Sequence, residues 1–252
     1  MSTVVKALSL LDHFDVDNAE FGLAEMARVS GFDKATTRRL LVALASKGFL
    51  EQDEQSRRYR LGATLVRLAH IREALFPMIE IAKPIANALS RDSGETVHVS
   101  QIAGGVLSSI YVHESEQPIR VNIATGMKLP FNCTASGIAF LSVATESFVA
   151  AVMRGSMPRR TGKSAGSPAE LRRRLEQAKE RGYAVNDQGF DDGVVSVAAP
   201  ILGARADAVG AISVSIPAVR ADSSTLKRHG AQVREAAVQI SAALGAGGQA
   251  AA

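Results

Sequence analysis

In the stretch GLAEMARVSGFDKATTRRLLVALASKG, two amphipathic runs are separated by only three residues, Gly31, Phe32 and Asp33. Glycine ends a helix readily because it adopts left-handed backbone angles, and an aspartate two residues later is a good N-cap for the next helix. The first run places Leu23, Met26, Ala27 and Val29 inward, and the second places Leu40, Leu41 and Leu44 on one side. So short a connection imposes a helix, a tight turn and a second helix over 34–46. Upstream, Val4, Val5, Leu8, Leu11 and Phe14 recur at helical spacing and predict another helix. Downstream, Gly48 closes the second helix, and FLEQDEQSRRYRLG predicts two short extended segments around a polar turn, anchored by Phe49, Tyr59 and Leu61. Three helices and a two-stranded wing make a winged helix-turn-helix over residues 1–62.

In that arrangement the second helix of the pair enters a DNA major groove with its N-terminal turns leading. Lys34, Thr36, Thr37, Arg38 and Arg39 occupy those turns, and the wing tip carries Arg57 and Arg58 toward phosphates or an adjacent minor groove. The formal net charge is only +4, but residues 28–67 hold nine Lys and Arg against four Asp and Glu. A solvated basic helix face, or a winged helix that binds protein or RNA, remains an alternative for this segment. A second run, residues 154–181, has nine cations against three acids. There, Ser167, Pro168 and Glu170 start a helix that Gly182 ends, and Arg172, Arg173, Arg174, Lys179 and Arg181 stud its exposed side.

Residues 63–76 predict a linker helix and 77–248 a second domain, with Pro77 and Pro84 at or near helix starts. Beyond residue 95 the period changes from helical to alternating. A hairpin turns at Gly104–Gly105, PIRVNIATG predicts a third strand, and the loop MKLPFNCT leads into a helix at 135–143, followed by more helix to Met153. Strands at YAVN, VVSVAAPIL and VGAISVSIP follow, then a C-terminal helix over 224–244. Helices flanking a mainly antiparallel sheet give an α+β, sensor-like module. No apolar stretch approaches the roughly 20 residues of a membrane span, and the N-terminus lacks a signal peptide, so the expected location is the cytoplasm with no membrane partner. Cys133 is the only cysteine, which excludes intrachain disulfides and multi-cysteine zinc sites; it reads as a small buried hydrophobe, and neither metal nor cofactor is expected.

Alternation sets Ala211, Ser213 and Ser215 on one face of the last strand and Ile212, Val214 and Ile216 on the other. The same logic groups Ser196 with Val194 and Ala198. Small residues and hydroxyls on one face leave room for a ligand and supply donors, unless these serines simply face water. The helix starting near Ala135 is the natural lid, because the N–H groups of its first turn, around Ser136, Gly137 and Ile138, favour an anion. A carboxylate follows, with Leu129, Phe131, Ile138 and Phe140 as an apolar wall. An enzyme fused to a DNA-binding domain would draw on His98, His113, Cys133, Asp191 and Asp192, but none has motif spacing, and the two histidines alternate with apolar residues as structural ones do. A protein-interaction module without DNA binding is the other alternative.

The segments LAEMARVSGFDKATTRRLLVALASKGFLEQDEQSRRYRLG, SRDSGETVHVSQ, LPFNCTASGIAFLS, RGYAVNDQGFDDGVVSVAAPI and GAISVSIPA, in this order, resemble the isocitrate lyase regulator (IclR) family of bacterial transcriptional regulators over the full chain. The resemblance implies a GAF-like effector domain, double-stranded operator DNA as partner, a homodimer or dimer of dimers, a small keto or aromatic acid as effector, and no catalysis. It also implies ligand contacts at Ser196, Ser213, Ser215 and either Asn186 or Asp187. The chain departs from the family at Ala35, where serine is usual, and at Gly137–Ile138, where Gly-Lys is common. Isoleucine in place of lysine points to a larger, partly apolar acid.

Overall fold

The computed structural model describes residues 2–246, so Met1 and residues 247–248 of the expected domain limits lie outside the described residues. The chain divides into two compact units, Met1–Pro77 and Met78–Ala252.

The first unit runs α1 (Thr3–Leu11), β1 (Glu20–Phe21), α2 (Leu23–Ser30), α3 (Lys34–Ser46), β2 (Leu50–Gln52), β3 (Tyr59–Leu61) and α4 (Ala63–Leu75). Gly31 ends α2 in the left-handed region at φ 72°, and the Asp33 carboxylate caps α3 by accepting from the Thr36 N–H at 2.8 Å. Leu10, Met26, Leu40, Leu41 and Leu50 form the core, and Phe14 meets Phe21 edge-on at 5.1 Å. The inward face of α1 differs from the expected one. Leu10 is fully buried, with Ala7 and Leu11 packed beside it, whereas Val4, Val5 and Leu8 are exposed. Both sets have helical spacing, so the pattern alone does not choose between them. The helix ends at Leu11, and Phe14 reaches the core from the turn beyond it. Val29 is likewise exposed.

The wing is three-stranded, in order β1-β3-β2, because Glu20–Phe21 pairs with Tyr59–Arg60. Two residues are too few for alternation to announce a strand. This pairing also redirects Arg58. Its guanidinium bonds Glu25 at 2.8 Å and the Glu20 carbonyl at 2.9 Å, tying the wing to the start of α2 instead of reaching out to phosphate. Thr37, expected at the DNA surface, is fully buried, and its hydroxyl donates to the Asp33 carbonyl at 2.9 Å. It falls on the Leu40–Leu41–Leu44 side of α3, facing the core.

The second unit contains α5 (Met78–Ser93), β4 (Thr96–Ala103), β5 (Val106–His113), α6 (Ala135–Val143), α7 (Glu146–Arg154), α8 (Pro168–Arg181), β6 (Ala184–Asp187), β7 (Val194–Leu202), β8 (Ala208–Pro217) and α9 (Ser223–Ala243). Its antiparallel sheet has the order β5-β4-β8-β7-β6. One face carries Val97, Val99, Val197, Ile201, Ile212, Val214 and Ile216 and packs against α5 and α9. The other, with Ala184, Ala198 and Ala211, is covered by α6 and α8.

Two expectations for this unit fail. Pro84 lies inside α5, not at its start, on an exposed position. An interior proline removes one hydrogen bond, a loss set here against burial of Met78, Ala82, Ala86 and Leu89 on the opposite side. PIRVNIATG is not a strand. Residues 118–126 form an irregular strap, held where Thr96 Oγ1 donates to the Val121 carbonyl at 2.8 Å and Arg220 donates to the Ile119 carbonyl at 2.9 Å. Pro118 and the side-chain and main-chain tethers take the place of ladder bonds.

Two substitutions test this construction. Asp222 caps α9, accepting from the Thr225 N–H at 2.7 Å and the Ser224 hydroxyl at 2.8 Å, and these bonds hold its carboxyl down at about 2. A depressed carboxyl stabilises the folded state above its ordinary value near 3.8 and loses that contribution as pH falls through the folded value. Asp222→Ala therefore lowers the melting temperature at pH 7, and its difference from wild type shrinks between about pH 4 and pH 2; a constant difference contradicts this. Arg58→Ala destabilises the first unit to denaturant while an exposed-arginine control, Arg57→Ala, does not; equal midpoints for the two variants contradict the clamp.

Candidate functional site

In the first unit, the N-terminal half of α3 leaves Lys34, Arg38 and Arg39 exposed and Thr36 half-exposed. They share the helix with the buried Leu40, Leu41 and Leu44, so the cationic side is rigidly held by the core. Arg57 stands at the wing turn with φ 57°, exposed, its carbonyl fixed by the Gln52 side chain at 2.9 Å. Lys34, Thr36, Arg38, Arg39 and Arg57 are thus displayed to solvent, whereas Thr37 and Arg58 are used internally.

In the second unit, the register lines up two polar rows across one face of the sheet. Thr96 pairs with Ser215, Ser215 with Ser196, and Ser196 with Asn186; one step along, His98 pairs with Ser213 and Ser213 with Ala198. The start of α6 stands over these rows. Thr134 caps it, accepting from the Gly137 N–H at 3.0 Å, and the Ser136 hydroxyl lies 3.1 Å from His98 Nε2. Gly137 is where 130–131 crosses the helix: a Cβ there would sit 2.5 Å from Phe131 Cα, so the approach needs glycine.

Between sheet, helix and strap lies a cavity of about 50 Å³. Six of the sequence-predicted residues line it: Leu129, Ser136, Asn186, Ser196, Ser213 and Ser215. Four do not. Gly137 serves the close crossing just described, and Ile138 is buried in the α6–α8 core with Leu107 and Phe140. Phe131 packs tilted on Phe140 and edge-on to Phe148, with ring centroids at 5.7 and 5.6 Å. Asp187 points outward and pairs with Lys163 at 3.1 Å, so of the two candidates at that position Asn186 takes the inward place. Asp187 is on the outward phase of β6, and the Ile138 side chain leaves α6 away from its mouth.

Residues that sequence reasoning missed complete the wall: His98, Thr134, Phe190 and Asp191, with Val121, Asn122, Ile123 and Met127 from the strap. The signal for His98 was its phase in β4, shared with Thr96 and Ser100 and opposite to Val97 and Val99. The strap offered none, since its contribution depends on not being a strand.

The wall is made of neutral hydrogen-bonding groups and one carboxylate, Asp191. Burial pushes the His98 imidazole down to about 4, so it is neutral at pH 7. The first-turn N–H groups of Ala135 and Ser136 have no partner within the helix, and both residues line the cavity. Hydroxyl capacity is partly used: Ser213 donates to the Val197 carbonyl at 3.0 Å, and Ser196 and Ser215 lie 3.2 Å apart. His98 Nδ1 and Asn186 Oδ1 are buried without hydrogen-bond partners. Cys133 is buried too, its thiol pushed up to about 11, which suits a packing residue and not a nucleophile.

The profile of the IclR helix-turn-helix domain matches residues 3–54 and that of the bacterial transcriptional regulator IclR C-terminal domain matches residues 74–242. The chain is 27% identical over 248 residues to the HTH-type transcriptional regulator XynR of Escherichia coli K12, covering 97% of this chain and 98% of that one. It is 28% identical to the acetate operon repressor of Salmonella typhimurium, covering 97% and 90%. Among solved structures it superposes on an IclR transcriptional regulator from Silicibacter sp. TM1040 with a TM-score of 0.91 and 35% identity, covering 97% of both chains. An IclR homologue from Microbacterium hydrocarbonoxydans, solved with 4-hydroxybenzoate, shares the fold with a TM-score of 0.78 at 21% identity over 96% and 99% of the chains. With a helix-turn-helix that displays cations in the first unit and a polar cavity under a helix N-terminus in the second, this chain belongs to the IclR family of DNA-binding bacterial transcriptional regulators.

Proposed function

We propose that this regulator reads its operator with Lys34, Thr36, Arg38 and Arg39 of α3 in the major groove and Arg57 of the wing on the phosphates, and that a small monocarboxylic acid in the α6 cavity controls that binding. The observation that carries the DNA reading is an exposed basic helix start on an apolar core, in a chain of a DNA-binding family. For the effector it is the coincidence of stacked hydroxyls with the first turn of α6. No Lys or Arg lines the cavity, and Asp191 does, which disfavours a dianion. Ile138, from which a larger, partly apolar acid was expected, is packed in the core and does not line the cavity, so it does not set the size of the acid. The relative solved with 4-hydroxybenzoate supports an acid effector by analogy of fold.

The working form in this reading is a homodimer or a dimer of dimers in the cytoplasm. Exposed Val66, Leu68, Ile71, Leu75 and Phe76 on and just beyond α4 form the kind of apolar surface that association covers. No described helix is long and apolar enough to cross a membrane. The domain assignment follows the same reading: 1–62 binds DNA, 63–76 links and 77–248 senses.

Two measurements check the assignment. Arg39→Ala weakens operator binding by about 1–3 kcal/mol or flattens its salt dependence by about one unit, with folding unchanged; unaltered affinity across a salt series in a gel shift removes α3 from the interface. Replacing Ser196 and Ser215 together by Ala removes a mutually bonded pair cleanly. It should weaken binding of pyruvate or benzoate, whichever binds wild type, by about 1.5–3 kcal/mol in calorimetry while leaving ligand-free operator binding intact. Wild-type ligand affinity in that variant places the effector elsewhere.

A further inference from the structure

His98 stands in the cavity wall with a hydrogen-bonding role the sheet does not need. It is 5% exposed, opposite Ser213 on β8 and Val112 on β5, with Ser136 of α6 at 3.1 Å from Nε2. None of these neighbours carries charge. Asp191, the carboxylate that lines the same cavity, lies 3.7 Å from Arg160. Nδ1 of His98 is buried with no hydrogen-bond partner.

A neutral imidazole has one N–H and one lone pair, and the Ser136 contact admits either orientation. When Nε2 accepts from Ser136, the serine proton is used on the ring and only its lone pairs are left for a ligand. When Nε2–H donates to Ser136, the serine hydroxyl is free to donate into the cavity. A carboxylate accepts hydrogen bonds and cannot donate them, so it selects the second arrangement. That leaves Nδ1 as a bare buried lone pair, the natural place for a proton once an anion sits one hydroxyl away.

Resting on the reading of this cavity as the acid site, we propose that His98 is its charge-reading residue. A carboxylate on the first turn of α6 takes a hydrogen bond from Ser136, Ser136 takes one from His98 Nε2–H, and Nδ1 takes up one proton from solvent, which returns when the acid leaves. No covalent bond changes. In the free protein burial alone keeps the ring neutral, down to about 4. The bound anion opposes that desolvation and raises the value, so affinity increases as pH falls through the bound-state value and levels off well above it.

The test uses the full-length protein with pyruvate and benzoate as probes, titrated calorimetrically at pH 5.5, 6.5 and 7.5, at each pH in two buffers of different ionisation enthalpy. Wild type should bind at least one probe about five- to tenfold more tightly at pH 5.5 than at pH 7.5, with net proton uptake approaching one at the lower pH. His98→Gln keeps an N–H for Ser136 but has no site for the proton, so whatever its affinity at pH 7.5, that affinity loses the pH slope. Histidine ¹⁵N shifts carry the same test in the unsubstituted chain, with the His98 signal identified by its response to Ser136→Ala: neutral when free at pH 5.5, protonated when saturated. Binding without proton uptake, a slope retained in His98→Gln, or a neutral His98 in the saturated protein overturns this role and leaves the cavity assignment standing. Failure of both probes to bind wild type at any pH overturns the acid-site reading, and this role with it.

Discussion

The structure of the sensing unit rests on how the two central strands divide their side chains. On β7 and β8 one face is Val and Ile, packed dry against α5 and α9, while the other is Ala and Ser. The alanines Ala184, Ala198 and Ala211 let α6 and α8 pack closely, and where the row changes to serine the sheet face and the start of α6 enclose a polar space. Buried hydroxyls are tolerated only when bonded, and these are: Ser213 to a carbonyl, Ser196 to Ser215, Ser136 to His98. Three buried side-chain atoms are left without a partner among the described residues: His98 Nδ1 and Asn186 Oδ1 at the cavity, and Ser109 Oγ outside its lining. An unmet buried polar atom costs about 1–3 kcal/mol, and such exceptions to local consistency belong at functional sites.

The DNA-binding unit obeys the opposite economy, with its cations outside and its hydroxyl and carboxylate chemistry spent on fixing helix α3. Asp33 caps it, Thr37 bonds back to the cap residue, and Arg58 locks the wing to α2 through Glu25. The Glu25 carboxyl is held low by the Gly22 N–H first and by Arg58 second, so this clamp persists throughout the neutral range. Residues that would all serve phosphate contact are thus divided by their partners: Arg39 and Arg57 face solvent, while Thr37 is buried and the half-exposed Arg58 is held by Glu25 and the Glu20 carbonyl.

Much of this was legible in the residues. The Gly31 stop and Asp33 cap announce the helix-turn-helix, and the phase of Ser196, Ser213 and Ser215 announces the cavity floor. What was not legible shares one cause, tertiary choice between locally equivalent options. Along α1 both Val4–Leu8–Leu11 and Ala7–Leu10–Leu11 have helical spacing, and only packing buries Leu10 and leaves Val4 and Leu8 exposed. PIRVNIATG has strand composition, yet Thr96 and Arg220 hold it as a strap over the cavity. Ile138 follows the cap in sequence but turns into the core, because a helix with buried residues on every side offers only its first turn to the cavity. The alternation of His98 with apolar residues reads as structural, and the structure sets it on the polar row that lines the cavity.

Backbone hydrogen exchange of the full-length protein, free and saturated with a monocarboxylic acid that binds it, tests the central claim most directly. The account predicts that protection rises in residues 121–136 and around Ser196 and Ser213–Ser215, where strap, helix start and polar rows meet. Unchanged exchange there, with protection appearing instead on the α8–β6 surface around Arg173 and Arg174, would contradict it.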